Sequence, residues 1–276
     1  MSNININDCL KLNKNNSYET YNKQWGNVNN YIEKASTFNP LFITHTIERG
    51  YLKNSNCIDN GKVVKLQNIK QFKKMYLKKL GIINDFKNVD TIIELGAGWG
   101  RMIFTILEKF NIDKKINIIT GEFTEEGIAT QQNIKNKFKK DLNMEILHLD
   151  YENSKPFFDV LRNRQLGNVL FLSFWSIEQV TNIPDSFMDN ILNCCNNFTC
   201  INIEPIGWQI SEKCILKEFK KGYRNYYNKN FFNVLKKYEK NQLISIDDVK
   251  VDYYCPCWIG SQAIGTLIRW HKKNVN

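Results

Sequence analysis

Residues 91–104 read TIIELGAGWGRMIF, and this stretch sets the architecture. Thr91 to Leu95 is apolar enough for a buried strand. Gly96, Gly98 and Gly100 make a glycine-rich turn, and a helix opens at Arg101. Glycines at such a turn allow φ > 0 and let a ligand approach the main chain closely. A dinucleotide site would read G-x-G-x-x-G. Here the third glycine comes one residue early, and Arg101 stands where that fingerprint wants glycine. Glu94 lies at the carboxyl end of the strand. A carboxylate there opposes a pyrophosphate and suits a ligand that lacks phosphate and carries positive charge. The plainer alternative is a strand-turn-helix whose glycines serve packing.

S-adenosylmethionine (SAM) is such a ligand, with its sulfonium, ammonium and adenosine. The E-x-G-x-G-x-G pattern resembles the first motif of class I SAM-dependent methyltransferases. The resemblance implies a cofactor site that includes Glu94, Gly96, Ala97, Gly98, Gly100 and Arg101.

Two further strands extend the pattern. INIITGEFTEEG, residues 116–127, is apolar up to Gly121-Glu122. In a doubly wound sheet, an acid at the end of the second strand faces ribose hydroxyls and accepts them as a pair. Glu122, with Phe123 beside it, is therefore a cofactor candidate. Its alternative role is a solvated charge at a helix start, since Glu125 and Glu126 follow. EILHLDYEN, residues 145–153, reads as a third strand ending at Asp150. In the methyltransferase pattern that acid, or the backbone beside it, meets the adenine amino group, with Tyr151 stacking nearby. An Asp N-cap is the alternative.

Composition sets outer bounds. The chain has 276 residues, of which 42% are hydrophobic, enough for one such domain plus an appendage. No apolar run approaches the roughly 20 residues of a membrane span. The segment MSNININDCLKLNKNNS lacks the apolar core of a signal peptide. Eight cysteines show no framework spacing, so free thiols in a reducing cytoplasm are expected. Cys255-Pro256-Cys257 has no histidine partner nearby, and no metal is expected. The net charge of +10 permits an anionic substrate, although an Asn-, Ile- and Lys-rich composition gives the same excess without function.

The expected fold class is α/β: a Rossmann-like seven-stranded class I methyltransferase sheet with an N-terminal, mostly helical extension. Residues 1–85 form that extension and active-site cover, and residues 86–276 the SAM-binding domain. Residues 1–60 read as short helices studded with aromatics. LQNIKQFKKMYLKKLGI, residues 66–82, has helical spacing of apolar residues and ends at Gly81. Strands and helices then alternate from 91 to about 203, which argues for a parallel sheet. NVLFLSF (168–174) is the fourth strand and TCINIEP (199–205) the fifth. A helix near 226–241 follows. VKVDYYC and QAIGTLIRW read as two final strands, an antiparallel pair on the sheet edge.

SFWSIEQV (173–180), INIEPIGWQ (201–209) and YRNYYNKNFFNVL (223–235) resemble segments of bacterial sugar and small-molecule methyltransferases that modify surface polysaccharides or their activated precursors. Trp175 stands where that group has a histidine, which puts a base at that position in doubt. Ser173 is a further cofactor candidate, and Trp175 and Trp208, with Gln179, are candidates to wall the acceptor. Tyr223 and Arg224, with Tyr226 and Tyr227, would hold a phosphate. Core packing and a mixed helix face are the alternatives.

Transfer of a methyl group to a hydroxyl needs alignment and removal of a proton. Glu178 and Glu204 lie near the carboxyl ends of the fourth and fifth strands, where open α/β sheets bind ligands. His45, in the N-terminal segment, is the best-placed histidine. His148 reads as a core residue of the third strand. The expected function is thus SAM-dependent O-methylation of a small, anionic acceptor such as a nucleotide-sugar or another nucleotide-activated capsule precursor. A nucleic-acid methyltransferase is disfavoured, because SFWS has no [DN]-P-P-[YF] motif for a flipped base and Pro256-Cys257 lies outside the fourth strand. A non-catalytic SAM-binding protein is the remaining alternative. The sequence leaves the oligomeric state open.

Overall fold

A computed structural model describes residues 14–44, 56–65, 68–80, 88–110, 112, 115–214, 228–255 and 264–273. His45, Tyr223, Arg224, Tyr226, Tyr227, Gly81, Pro256 and Cys257 lie outside the described residues.

The elements run α1 (Lys14–Lys34), α2 (Pro40–Ile43), β1 (Asn56–Asp59), β2 (Lys62–Lys65), α3 (Ile69–Leu80), β3 (Thr91–Leu95), α4 (Arg101–Lys109), β4 (Asn117–Glu122) and α5 (Glu125–Phe138). They continue with β5 (Met144–His148), α6 (Lys155–Arg162), β6 (Asn168–Phe174), α7 (Asp185–Cys194), β7 (Asn197–Glu204), α8 (Phe231–Lys240), β8 (Ile244–Cys255) and β9 (Gly265–Lys272). Short 3-10 turns at Ile177–Gln179 and Gly207–Gln209 follow β6 and β7.

One sheet of nine strands has the order β2-β1-β8-β9-β7-β6-β3-β4-β5. Strands β3 to β7 are mutually parallel, while β9 runs antiparallel to both β7 and β8. The class I methyltransferase arrangement expected from the sequence is therefore present, with two strands added. The core strands are buried on both faces, and their side chains alternate between two apolar layers. Ile92, Leu170, Leu172, Ile201 and Leu267 point to the layer shared with α1, α3, α4 and α5. Ile93, Phe171, Cys200 and Ile268 point to the layer under α6, α7 and α8.

The added strands correct the reading of the N-terminal region. Residues 56–65 are a β-hairpin whose first strand pairs with β8, so the β8–β9 pair does not form the sheet edge. Asn60 (φ 51°) and Gly61 (φ 72°) form its two-residue turn. Asn-Gly with both residues left-handed is the strongest short hairpin signal. The signal was in the sequence, but the polar surroundings hid it. Buried Lys79 of α3 locks the hairpin down: its ammonium donates to Asn60 Oδ1 at 2.8 Å and to the Tyr253 carbonyl at 3.0 Å, and pairs with Asp59 at 2.6 Å. Ahead of the hairpin, residues 14–34 form one 21-residue helix rather than several short ones.

Helix α1 lies along α5. The Glu126 amide donates to Asn22 Oδ1, Asn133 Nδ2 donates to Asn29 Oδ1, and Lys137 Nζ caps α1 by donating to the Ile32 and Glu33 carbonyls. These bonds lay α1 along α5, and its Tyr18 and Trp25 reach Phe123 and Gly98, just past the carboxyl ends of β4 and β3.

Candidate functional site

The strand order reverses between β3 and β6: β4 and β5 lie to one side of β3, and β6 and β7 to the other. Ligands bind at such a switch point, outside the carboxyl ends of the strands. The glycine turn 96–100 sits there. Gly96, Gly98 and Gly100 have φ of 70°, 58° and 83°. Only glycine enters this region without strain. The Gly96 and Ala97 amides both donate to the Gly121 carbonyl, which ties the turn to β4. A Cβ on Gly96 would lie 2.4 Å from Ser176 Cβ, and one on Gly98 would lie 3.0 Å from the Trp25 ring.

Glu94 is buried, and its Oε2 accepts the Ile103 amide at 3.0 Å. It therefore caps the first turn of α4. Burial raises its pKa to about 8 despite that bond and the nearby Arg101. Beside the cofactor contact expected of it, Glu94 makes a helix-capping contact.

Glu122 is 5% exposed, which removes the reading as a solvated helix charge. Its Oε2 accepts the Gly98 amide at 2.7 Å, and its Oε1 accepts the Thr124 amide and hydroxyl at 3.0 and 2.6 Å. Thr124, not Glu122, caps α5, by accepting the Gly127 amide. Desolvation raises the Glu122 pKa, opposed by these donors. Phe123 is 43% exposed and meets Tyr18 of α1 edge-on at 5.3 Å. On its other side is His148, exposed at the end of β5 rather than in the core.

Strand β5 ends two residues before Asp150, whose Oδ1 accepts the Glu152 amide at 2.8 Å in a local turn. Tyr151 does not face outward as a stacking platform. Its ring packs on Phe187 at 5.4 Å, and its hydroxyl pairs with Ser176 Oγ at 2.8 Å.

A buried polar chain joins the carboxyl ends of β3, β6 and β7 and runs on to Trp270 within β9. Ser176 Oγ donates to the Leu95 carbonyl at 2.9 Å. Ser173 Oγ donates to Glu204 Oε1 at 2.8 Å and accepts Asn202 Nδ2, whose Oδ1 in turn accepts Trp270 Nε1. Glu204, fully buried, accepts the Ser176 amide at 3.1 Å and the Glu178 amide at 3.4 Å. Burial lifts its pKa to about 7, and the donors hold it from rising further. Glu204 thus anchors the turn after β6, and its lone pairs are taken up in doing so.

That turn presents Trp175, Glu178 and Gln179. Trp175 has φ 50°, a conformation that costs about 1–3 kcal/mol for a bulky residue and persists where the surroundings impose it. Its amide donates to the Ile203 carbonyl. Its half-buried ring meets Tyr254 edge-on at 6.1 Å and lies 5.7 Å from the buried Arg101 guanidinium. Gln179 Nε2 donates to the buried Glu178 Oε1 at 2.8 Å. Trp208, half-buried in the 3-10 turn after β7, has an Nε1 with no hydrogen-bond partner among the described residues.

The structure thus gathers Glu94, the glycine turn, Arg101, Glu122, Ser173, Trp175, Glu178 and Glu204 at one end of the sheet. Sequence reasoning missed Trp25, Gln131 and Ser176. Tyr18, Tyr21 and Trp25 recur at helical spacing, with Tyr21 and Trp25 stacked at 5.7 Å, which is a readable signal. A buried glutamine such as Gln131 leaves none. Among the described residues, no group of three or more His, Cys, Asp or Glu side chains could hold a metal ion.

The fold is a Rossmann-like α/β sheet in the class I methyltransferase arrangement. No protein-family profile matches the chain, and no curated protein matches it. Solved structures do. The chain resembles MtNAS in complex with MTA and tNA with a TM-score of 0.50 at 8% identity, over 93% of this chain and 74% of that one. Magnesium protoporphyrin IX methyltransferase (ChlM) from Synechocystis PCC 6803, with bound SAH, gives 0.48 at 10% identity over 95% and 98%. The pyocyanin biosynthetic protein PhzM gives 0.47 at 11% over 73% of this chain, which spans 55% of PhzM. The likeness to MtNAS speaks for the fold alone. Among the described residues, no helix is long and apolar enough to cross a membrane.

Proposed function

We propose that this chain is a SAM-dependent methyltransferase acting on a small acceptor. The observation that carries the reading is β9, antiparallel between β7 and β8, beside a glycine turn at the β3/β6 switch point. The nicotinamide-binding fold continues with parallel strands in the order 3-2-1-4-5-6. This sheet departs from that order at the strand that distinguishes the methyltransferase arrangement.

The residues present fit SAM. Glu122, braced by Gly98, Thr124 and the Phe123 amide, stands at the carboxyl end of β4, where a ribose hydroxyl would share its Oε2 with Gly98. Gly98 keeps the main chain bare where Trp25 of α1 covers it. Phe123 offers an exposed aromatic face beside Glu122. Asp150 and the backbone around it flank the same end of the sheet. When bound, SAM supplies an electrophilic methyl group.

On the acceptor side, Glu178 is the general base. It sits on the turn that Glu204 anchors, and Gln179 orients it. Glu204 is a positioning residue rather than a second base, since its carboxylate is committed to donors. Trp175, held in its strained conformation, and Trp208, with an indole N–H left to donate, enclose the acceptor. His45, Tyr223 and Arg224 remain proposed contributors. The acceptor is a hydroxyl-bearing anion such as a nucleotide-sugar or another activated capsule precursor, and the reaction is O-methylation in the cytoplasm. The excess of Lys and Arg and the SFWSIEQV and IEPIGWQ segments support this choice.

Transfer from labelled SAM to nucleotide-sugars, phosphorylated sugars, DNA and RNA tests the reading. Label in a small molecule is expected. Transfer to nucleic acid alone assigns the chain to the other class. Calorimetric binding of NAD, with none of S-adenosylhomocysteine, would overturn the methyltransferase reading.

A further inference from the structure

We infer that Gln131 is a positioning residue for the cofactor turn, acting through the peptide group that follows Gly98. The inference rests on the reading of the site as a cofactor site. Gln131 projects from α5 and is fully buried. Its Nε2 donates to the Gly98 carbonyl at 2.8 Å, and its Oε1 accepts the Thr120 hydroxyl at 2.6 Å. On the other side of the same residue, the Gly98 amide donates to Glu122 Oε2 at 2.7 Å. Both main-chain groups of Gly98 are thus held by side chains from the β4–α5 unit.

Glycine's freedom explains why such a hold matters. Gly98 lies at φ 58°, and without a Cβ its neighbouring peptide can rotate at little steric cost. A rotation would turn the Gly98 carbonyl away from Gln131 and bring the Trp99 amide into its place. Gln131 selects one orientation, because its donor end is fixed once Thr120 occupies its acceptor end. A methionine at 131 keeps the bulk but removes the donor, and a glutamate keeps a donor only while its carboxyl is protonated. The same hold couples the turn to Glu122: when Glu122 takes a ribose hydroxyl it shares Oε2 with Gly98, and Gln131 keeps the turn in place meanwhile.

The test is S-adenosylhomocysteine binding by calorimetry, beside thermal melting of the ligand-free protein, for wild type, Gln131→Met, Gln131→Glu and Thr120→Val. Losing a buried hydrogen bond to the turn is expected to weaken binding about 5- to 50-fold in Gln131→Met. Gln131→Glu should weaken it more at a pH where the new carboxyl is ionised, because that sets an acceptor against the Gly98 carbonyl, and should approach wild type where the carboxyl is protonated. Thr120→Val should weaken it less, in the same direction. KM for SAM should rise with Kd, while KM for the acceptor stays within about twofold. A folded Gln131→Met protein that melts lower but binds as wild type makes Gln131 a packing residue and overturns the inference. Wild-type protein that melts cooperatively and does not bind S-adenosylhomocysteine overturns the cofactor reading, and this inference with it.

Discussion

The Glu204 carboxylate accepts the Ser176 amide at 3.1 Å, and this bond ties the end of β7 to the turn that follows β6. Ser176 then reaches back to the Leu95 carbonyl at the end of β3. Three neighbouring strands are thereby joined at their carboxyl ends, beside the switch point of the sheet. Acids that look alike in a linear reading differ in three dimensions: Glu204 holds the turn, and Glu178 sits on it.

Glu178→Gln separates the two roles. If Glu178 removes the acceptor proton, turnover should fall about 10²–10⁴-fold, with S-adenosylhomocysteine affinity unchanged. Steady-state rates and calorimetry on the same preparation decide it. Turnover within threefold of wild type would move the base elsewhere, with His45 next in line.

The buried carboxyls predict a pH dependence of stability. Glu94 and Glu204 have folded-state pKa values of about 8 and about 7, raised by burial from 4.5. The folded protein therefore holds protons that the unfolded chain releases above about 4.5. Stability should fall as pH rises from about 4.5 to about 8, by an amount on the order of a few kcal/mol per carboxyl. Denaturant melts across that range should show the slope, and Glu94→Gln should flatten its upper part. A flat profile in wild type would mean that neither carboxyl is desolvated as the structure has it.

Substitutions in the turn should affect folding as well as binding. Gly96→Val places a side chain against Ser176, which a Cβ alone would approach to 2.4 Å, at a φ of 70°. A loss of more than about 3 kcal/mol is expected. Gly98→Ala meets only the edge of the Trp25 ring, at 3.0 Å rather than 2.4 Å, and should cost less, roughly 1–2 kcal/mol of strain, while still impairing cofactor binding. Equal stability losses in the two variants would contradict the packing described.

Lys79→Met should loosen the N-terminal hairpin. Asn60 Oδ1 and the Tyr253 carbonyl would lose a donor, and Asp59 its partner, for about 1–3 kcal/mol. Hydrogen exchange should show earlier opening of residues 56–65 than of β3 and β6. Uniform protection across the sheet would show that the hairpin is held by its backbone pairing alone.

The parallel core follows from patterns that a single chain displays. TIIEL and NVLFLSF are short, nearly continuous apolar runs, and with a glycine turn or a helix after each they read as strands covered on both sides. Glycines at 96, 98 and 100 mark a left-handed turn because no other residue enters that region freely. The strand after α4 and its terminal Glu122 were equally visible, as was α3 from its spacing. Polar, Asn-rich stretches gave little such contrast, which is why the hairpin at Asn60-Gly61 and the single helix at 14–34 went unread.

Local pattern fixes which residues stand at strand ends; it does not fix what those side chains face. Glu94, Glu122 and Glu204 are alike in sequence, each an acid closing an apolar run. Packing made Glu94 a helix cap, Glu122 a brace on Gly98, and Glu204 the anchor of the Ser176–Glu178 turn. Each role depends on a donor from an element distant in the chain, or on burial supplied by another layer. Hydrogen-bond partners and desolvation are properties of the assembled fold, so only the tertiary structure could assign them. Gln131 and Trp25 reach the turn for the same reason: α5 and α1 deliver them across space, not along the sequence.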